Sequence, residues 1–155
     1  MAALRLLRGH NVPVKIAVHR LHASVPLPRY ETSGAAGFDL AASADVTIEP
    51  GAVALVPTGL VIAVPAGHFL GIFARSSTPL KKGLMVANGV GVVDSDYCGP
   101  NDEIRIQVLN FTQAPVTVRT GDRIAQGVIL PAIRVEWQEL AEAGGPTRGG
   151  FGSTG

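Results

Sequence analysis

Asp94, Asp96 and Tyr97 lie close together within Asn88 to Glu103, NGVGVVDSDYCGPNDE. The apolar run Val90 to Val93 delivers Asp94 into a segment of Gly, Ser, Asp and Pro, which is how a scaffold strand presents a carboxylate at its end. Two residues on, Asp96 and Tyr97 add a second acid and an aromatic ring. The alternative is that Asp94 only makes an Asx turn, as Asp commonly does where a strand ends. Gly99-Pro100-Asn101-Asp102 reads as a turn returning the chain into an alternating strand, Glu103 to Leu109. The stretch is therefore predicted to be a β-hairpin with an acid and an aromatic ring at its mouth.

Three further segments have the composition of phosphate or nucleotide handling. Ala74-Arg75-Ser76-Ser77-Thr78 offers a guanidinium, three hydroxyls and free backbone N–H groups after a strand, a workable oxyanion cradle. Lys81 and Lys82 follow, and such a pair by itself reads as a solvated face. Gly121-Asp122-Arg123-Ile124-Ala125-Gln126 is a turn entering a strand, with Gln126 either functional or simply outward and polar. In Arg148 to Gly155, RGGFGSTG, the glycines permit close backbone approach to phosphates and the Phe151 ring can stack on a base. Its alternative reading is a flexible Gly-rich end.

The elements that must position these groups read as β throughout. Val14 to Leu21, VKIAVHRL, puts Val14, Ile16 and Val18 on one side at period two, and its β-branched content favours strand. His19 and His22 read as rim residues, because no carboxylate or further His accompanies them at ligand spacing. After the Pro-containing break at Val25 to Arg29 and the stretch SGAAGFDLAASADV come the apolar runs Ala52 to Val56, Leu60 to Val64 and Phe69 to Ala74. Pro-Gly, Pro-Thr-Gly and Pro-Ala-Gly separate them at the spacing of an all-β sandwich or barrel. Strands are also predicted over Arg123 to Leu130 and Ala132 to Leu140, and helix is poorly supported anywhere. Ala141 to Gly155 has one aromatic residue and cannot bury enough apolar surface to order itself.

With 155 residues and 16.0 kDa, the chain is expected to form a single domain over 1–140, with 141–155 as a Gly-rich arm. A formal net charge of +1 argues for neither nucleic acid nor a membrane surface, so an anion site must come from local clustering of basic groups. Charged residues make up 16% of the chain, against about 25% in ordinary domains, while 46% are apolar. Some surface is therefore expected to be covered, most simply by self-association. The single cysteine, Cys98, excludes an intramolecular disulfide and fits a reducing compartment. Tyr97 and Gly99 beside it supply no base or cation to activate a thiolate. Arg5 and Arg8 interrupt the apolar residues of MAALRLLRGHN, so no signal-peptide core is read there. No apolar run approaches a membrane span, and a soluble, cytoplasmic protein is expected.

Taken together, AGFDL at Ala36 to Leu40, ARSS at Ala74 to Ser77 with Lys82-Gly83, NGVGVVDSDYCG at Asn88 to Gly99, GDRIAQ at Gly121 to Gln126 and GGFGSTG at Gly149 to Gly155 form an ordered series. In order and spacing they resemble the five motifs of the homotrimeric dUTP pyrophosphatases, over nearly the whole chain after Val14. The resemblance implies a distorted jelly-roll-like β-barrel of the β-clip type, a threefold trimer, and three active sites at subunit interfaces. It implies that Asp94 activates a water for in-line attack on the α-phosphorus of dUTP, giving dUMP and pyrophosphate. Tyr97 would pack under the deoxyribose and exclude a ribose 2′-hydroxyl. Asn88 and hairpin backbone groups, Gly89 and Val93 among them, would read the uracil edge and reject cytosine, whose C4 amine reverses a donor and acceptor pair. Arg75, Ser76 and Ser77 would hold the phosphates, and Gln126 would bond phosphate or its water shell. Asp39 would support the waters of a Mg2+ ion held by the triphosphate, or the sugar pocket. Phe151 would stack on uracil, with Gly152, Ser153 and Thr154 around the β- and γ-phosphates and the arm closing over a neighbouring subunit's site.

Two positions depart from the family pattern. Cys98 stands where Arg, Lys or Gln is more usual. The arm is contracted, since Arg148 lies three residues before Phe151 rather than five and Pro146 holds the usual slot. The rival readings are a dCTP deaminase, which shares the barrel and an Arg-Ser-Ser segment but uses a Glu base and lacks the FGSTG arm, and a non-catalytic nucleotide sensor on the same barrel.

Overall fold

The computed structural model describes residues 14–147 and Gly149. Among these residues eleven strands run in the order β1 (Ala17–Arg20), β2 (Phe38–Ala41), β3 (Val46–Ile48), β4 (Val53–Pro57), β5 (Leu60–Ala63), β6 (His68–Ala74), β7 (Leu84–Val86), β8 (Gly91–Val93), β9 (Arg105–Asn110), β10 (Val116–Val118) and β11 (Arg123–Pro131). Every pairing is antiparallel, in four sheets: β1-β5, β3-β10, β2-β11-β6-β8 and β4-β9-β7. This is the all-β, jelly-roll-like architecture the sequence predicts, with separate sheets wrapped about one core rather than a hydrogen-bonded closed barrel.

Alternation builds that core. Along β9, Ile106, Val108 and Asn110 point inward while Arg105, Gln107 and Leu109 point out, and the inward set meets Leu40, Ile48, Val56, Ile62, Leu70 and Ile124. Asn110 is the buried polar member. Its amide donates to the carbonyls of Ile48 (2.9 Å) and Ala114 (2.8 Å), and its Oδ1 accepts from the Thr112 N–H (2.9 Å) and hydroxyl (2.8 Å). With every polar atom satisfied, it ties the end of β9 to β3 at no desolvation penalty.

Three sequence expectations need correction. The predicted hairpin does not form: β8 pairs with β6, whereas β9 lies between β4 and β7. The turn at Gly99 to Asp102 is present, closed by Asp102 N–H to Gly99 O (3.1 Å) and Gly99 N–H to Asp102 Oδ2 (2.7 Å), but it sits inside a connection that crosses between sheets. Alternation marks residues as strand and leaves the partner open. Second, Ala132 to Leu140 is not a strand. Its alternating Ile133 (88% exposed), Val135 and Trp137 (93% exposed) find no strand partner among the described residues, and a strand needs a ladder partner. Third, one short helix exists, α1 (Ser77–Lys82). Pro79 falls in its first turn, where a missing N–H costs nothing, and Gly83 at φ +64° closes it with an N–H to the Pro79 carbonyl. A Cβ at Gly83 would sit 2.0 Å from Thr112 Cγ2, so glycine is required on packing grounds as well.

A similar close approach governs the largest sheet. Gly127 of β11 faces Phe38 of β2, and an added Cβ would lie 2.5 Å from Phe38 Cε2 and 2.9 Å from Leu70 Cδ1. Gly127→Ala is expected to cost about 1–3 kcal/mol through overpacking, read as a lower denaturant midpoint at unchanged slope. A midpoint equal to wild type would show that β2 and β11 can separate without penalty.

Candidate active site

The third-motif residues lie on one continuous segment. After β7 the chain turns at Asn88 and Gly89, the latter at φ +73°, where an L side chain is strained. β8 then carries Val93 inward and is followed directly by Asp94. Asp94 to Tyr97 is a β-turn closed through the backbone, Tyr97 N–H to Asp94 O at 3.2 Å. The Asp94 carboxylate does not make that turn. It is exposed, with no hydrogen bond or ion pair to the described residues. Asp94, Val93 and Tyr97 line a cleft of about 320 Å3 with Leu55, Val92 and Glu103.

Glu103 is the residue that sequence reasoning missed here. Its side chain is 11% exposed, accepts from the Gly59 N–H (2.8 Å) and pairs with Arg105 Nε (3.1 Å). Its backbone carbonyl accepts from the Tyr97 hydroxyl (3.2 Å), fixing the ring beside Asp94. Only its place at the start of a strand was visible in sequence.

The phosphate-type residues assemble elsewhere. β11 lies between β2 and β6 with Gln126 opposite both Asp39 and Phe73, so Asp39, Gln126 and the end of β6 share one outward face. Asp39 is 14% exposed and holds Arg75 Nε at 2.8 Å through one oxygen and Arg123 NH1 at 2.9 Å through the other. Arg75 NH1 also donates to the Arg123 carbonyl (3.0 Å), which leaves its NH2 group for a ligand. Arg123 continues to Glu31 at 2.8 Å, and that carboxylate first, then Asp39, pushes its guanidinium further above its ordinary range. Gln126 Nε2 donates to the Ala74 carbonyl (3.1 Å), against the start of the Arg75 loop.

Arg75 and Ser77 line a second cleft, of about 390 Å3, with Lys81, Lys82 and Asp122. Ser76, exposed, precedes the helix. The two clefts share no lining residue, so one protomer does not bring Asp94 and Tyr97 together with Arg75 and Ser77. Arg148, Phe151, Gly152, Ser153 and Thr154 lie outside the described residues.

A metal finds no protein cage among the described residues: no group of three or more His, Cys, Asp or Glu is placed to hold one. His19 and His22 are exposed, as read from sequence. Asp39, expected to support metal waters or the sugar pocket, has both oxygens on guanidinium groups. The donor set suits a hard cation carried in on phosphate oxygens and water rather than one bound by carboxylates.

The family model described as dUTPase matches residues 23–155. The chain belongs to the dUTPase family. A deoxyuridine 5'-triphosphate nucleotidohydrolase of Desulfitobacterium hafniense is 49% identical over 152 residues, covering 94% of this chain and 98% of the relative. That of an Anaeromyxobacter species is 45% identical, covering 93% and 99%. The crystal structure of the dUTPase from Streptococcus mutans superposes with a TM-score of 0.68 at 42% identity, over 72% of this chain and 89% of that one. A Staphylococcus bacteriophage 80alpha dUTPase bound to dUPNHPP reaches 0.80 at 22% identity over 91% and 98%, a likeness of fold. Among the described residues no helix is long and apolar enough to cross a membrane.

One ion pair gives the site a pH signature. Lys82 Nζ lies 2.8 Å from Asp122 Oδ2, which also accepts from the Arg119 N–H (3.0 Å), and these hold the Asp122 carboxyl below its ordinary 3.8. A depressed carboxyl stabilises the fold above its unfolded value and stops doing so as pH falls through its folded one. Asp122→Asn should therefore lower Tm at pH 7 and lose its deficit against wild type below pH 3.8. A deficit equal at pH 7 and pH 3 by circular dichroism would assign Asp122 a role other than its charge.

Proposed function

We propose that this member of the dUTPase family hydrolyses dUTP to dUMP and pyrophosphate, keeping uracil out of DNA and supplying dUMP for dTMP synthesis. The observation that carries the chemistry is the Asp94 carboxylate, exposed, without a partner among the described residues, and placed at a strand end in one cleft with the Tyr97 ring. Asp94 accepts a proton from a water that attacks the α-phosphorus in line. The new P–O bond forms to that water as the bond to the bridging oxygen breaks and pyrophosphate leaves. Little else need be done by side chains, because phosphoryl transfer rests mainly on positioning and charge. Tyr97 supports the deoxyribose, Asn88, Gly89 and Val93 read the base, and Arg75, Ser76, Ser77 and Gln126 hold the phosphates. Mg2+, when bound on the triphosphate, supplies neutralisation of its charge. Gln126 is the polar side chain nearest that role, while Asp39 acts by locking Arg75 in place.

The working unit in this reading is a homotrimer. The outer face of β4-β9-β7 presents Val53, Leu55, Met85 and Leu109, which the pairing Val53↔Leu109↔Met85 puts side by side. Segment 132–140 offers Ile133, Trp137 and Leu140 to solvent with no partner of its own. Both surfaces ask for a second copy. Assembly would also supply what one protomer lacks, by setting the Asp94 cleft of one chain against the Arg75 cleft of another, with the 141–155 arm closing over it. The cytoplasm, where dNTP pools and reduced thiols occur together, is the compartment proposed.

Asp94→Asn should abolish pyrophosphate release from dUTP while leaving nucleotide binding within about tenfold, since loss of a base removes transition-state help more than ground-state contacts. Retention of more than a tenth of wild-type kcat would move the base to Asp96. Sedimentation at micromolar concentration should give three copies, and monomer alone would overturn the shared-site reading.

A further inference from the structure

The neighbouring lysines of α1 do not share a role. Lys82 is tied to Asp122 at 2.8 Å, across the gap between the helix and the Gly121 turn. Inside the same gap the buried Thr78 hydroxyl donates to the Ile124 carbonyl at 2.8 Å. Gly83, with no room for a Cβ, fixes the helix end. The Lys82 and Thr78 contacts therefore pin α1 against the Gly121 turn and the start of β11, while Gly83 packs on Thr112. Lys81, one residue earlier, is exposed and lines the cleft that contains Arg75 and Ser77.

The charge balance of that cleft singles Lys81 out. Arg75 is paired with Asp39, Arg123 with Asp39 and Glu31, and Lys82 with Asp122. Among the described residues Lys81 is the one cation lining it that has no carboxylate within ion-pair distance. A polyphosphate carrying about four negative charges draws most from an uncompensated positive charge in a concave site. A flexible ammonium suits that task, being a compact point charge rather than a planar fork.

We propose that Lys81 is a ligand of the substrate's polyphosphate tail, acting beyond the Arg75 cradle, with the Lys82–Asp122 pair holding its helix in reach. This deepens the dUTPase reading and rests on it. Lys81 takes no part in proton transfer and makes no contact with the nucleoside. Its charge therefore matters in proportion to the number of phosphates on the ligand.

Steady-state hydrolysis of dUTP by Lys81→Ala should show KM raised about tenfold with kcat within about twofold, and a weaker dependence of kcat/KM on ionic strength than wild type. Lys81→Arg should recover most of the KM. Calorimetry should show affinity for inorganic tripolyphosphate falling about tenfold in Lys81→Ala, with affinity for deoxyuridine unchanged. An unchanged KM and unchanged tripolyphosphate affinity would overturn the proposal, as would a parallel loss of deoxyuridine binding, which would mean a general structural defect. If wild-type protein released no pyrophosphate from dUTP, the dUTPase reading itself would fail. The tripolyphosphate comparison would still decide whether Lys81 is an anion ligand.

Discussion

Strand β11 is the constraint on which the rest depends. It lies between β2 and β6 with Gly127 pressed against Phe38 and Leu70, so the three backbones are held at a separation that no larger residue permits. The strand is irregular between Arg123 and Ala125, so two consecutive residues turn inward before alternation resumes. Ile124 and Ala125 enter the core, and Gln126 faces outward opposite Asp39. A slip of one residue would send Gln126 inward and break the alignment that places Asp39 against Arg75 and Arg123.

From that register follows the electrostatic design of the Arg75 side. Arg75 leaves β6 just beyond the ladder and is fixed at once by a carboxylate from β2 and a carbonyl from β11. Holding a guanidinium at fixed geometry removes the rotamer entropy that a ligand would otherwise have to freeze out. The partly buried Asp39 spends both oxygens on this, which is a reason for a carboxylate there that needs no metal. The charge chain from Glu31 through Arg123 and Asp39 to Arg75 is neutral as a whole, so it orders the site without building up positive charge that would repel itself in the empty protein.

The Asp94 cleft is built differently. Asp94 follows a three-residue strand, on a turn closed by its own backbone, and has no hydrogen-bond or ion-pair partner among the described residues. Tyr97 is fixed by its hydroxyl on the Glu103 carbonyl, and Glu103 is itself anchored on Gly59. A rigid ring beside a free carboxylate is what a preorganised base requires, since the group that moves a proton must not be spent on holding the fold.

Much of this was legible in the residues alone. The β class followed from period-two apolar runs punctuated by Pro and Gly, and the motif series from AGFDL to GGFGSTG pointed to the family. Asp94, Arg75 and Gln126 could be picked out because their types and neighbours suit the chemistry. Strand partners could not be read, because alternation is a property of one strand and pairing a property of two. So β8 and β9 look like a hairpin in sequence yet belong to different sheets, and Ile133, Val135 and Trp137 look like a strand yet find no ladder in this protomer. The short strands β2, β3, β7 and β10 carry too few residues to show a period. The division of Lys81 from Lys82, the double duty of Asp39 and the anchoring of Tyr97 by Glu103 were decided only when the tertiary structure brought together carboxylates and carbonyls distant in sequence.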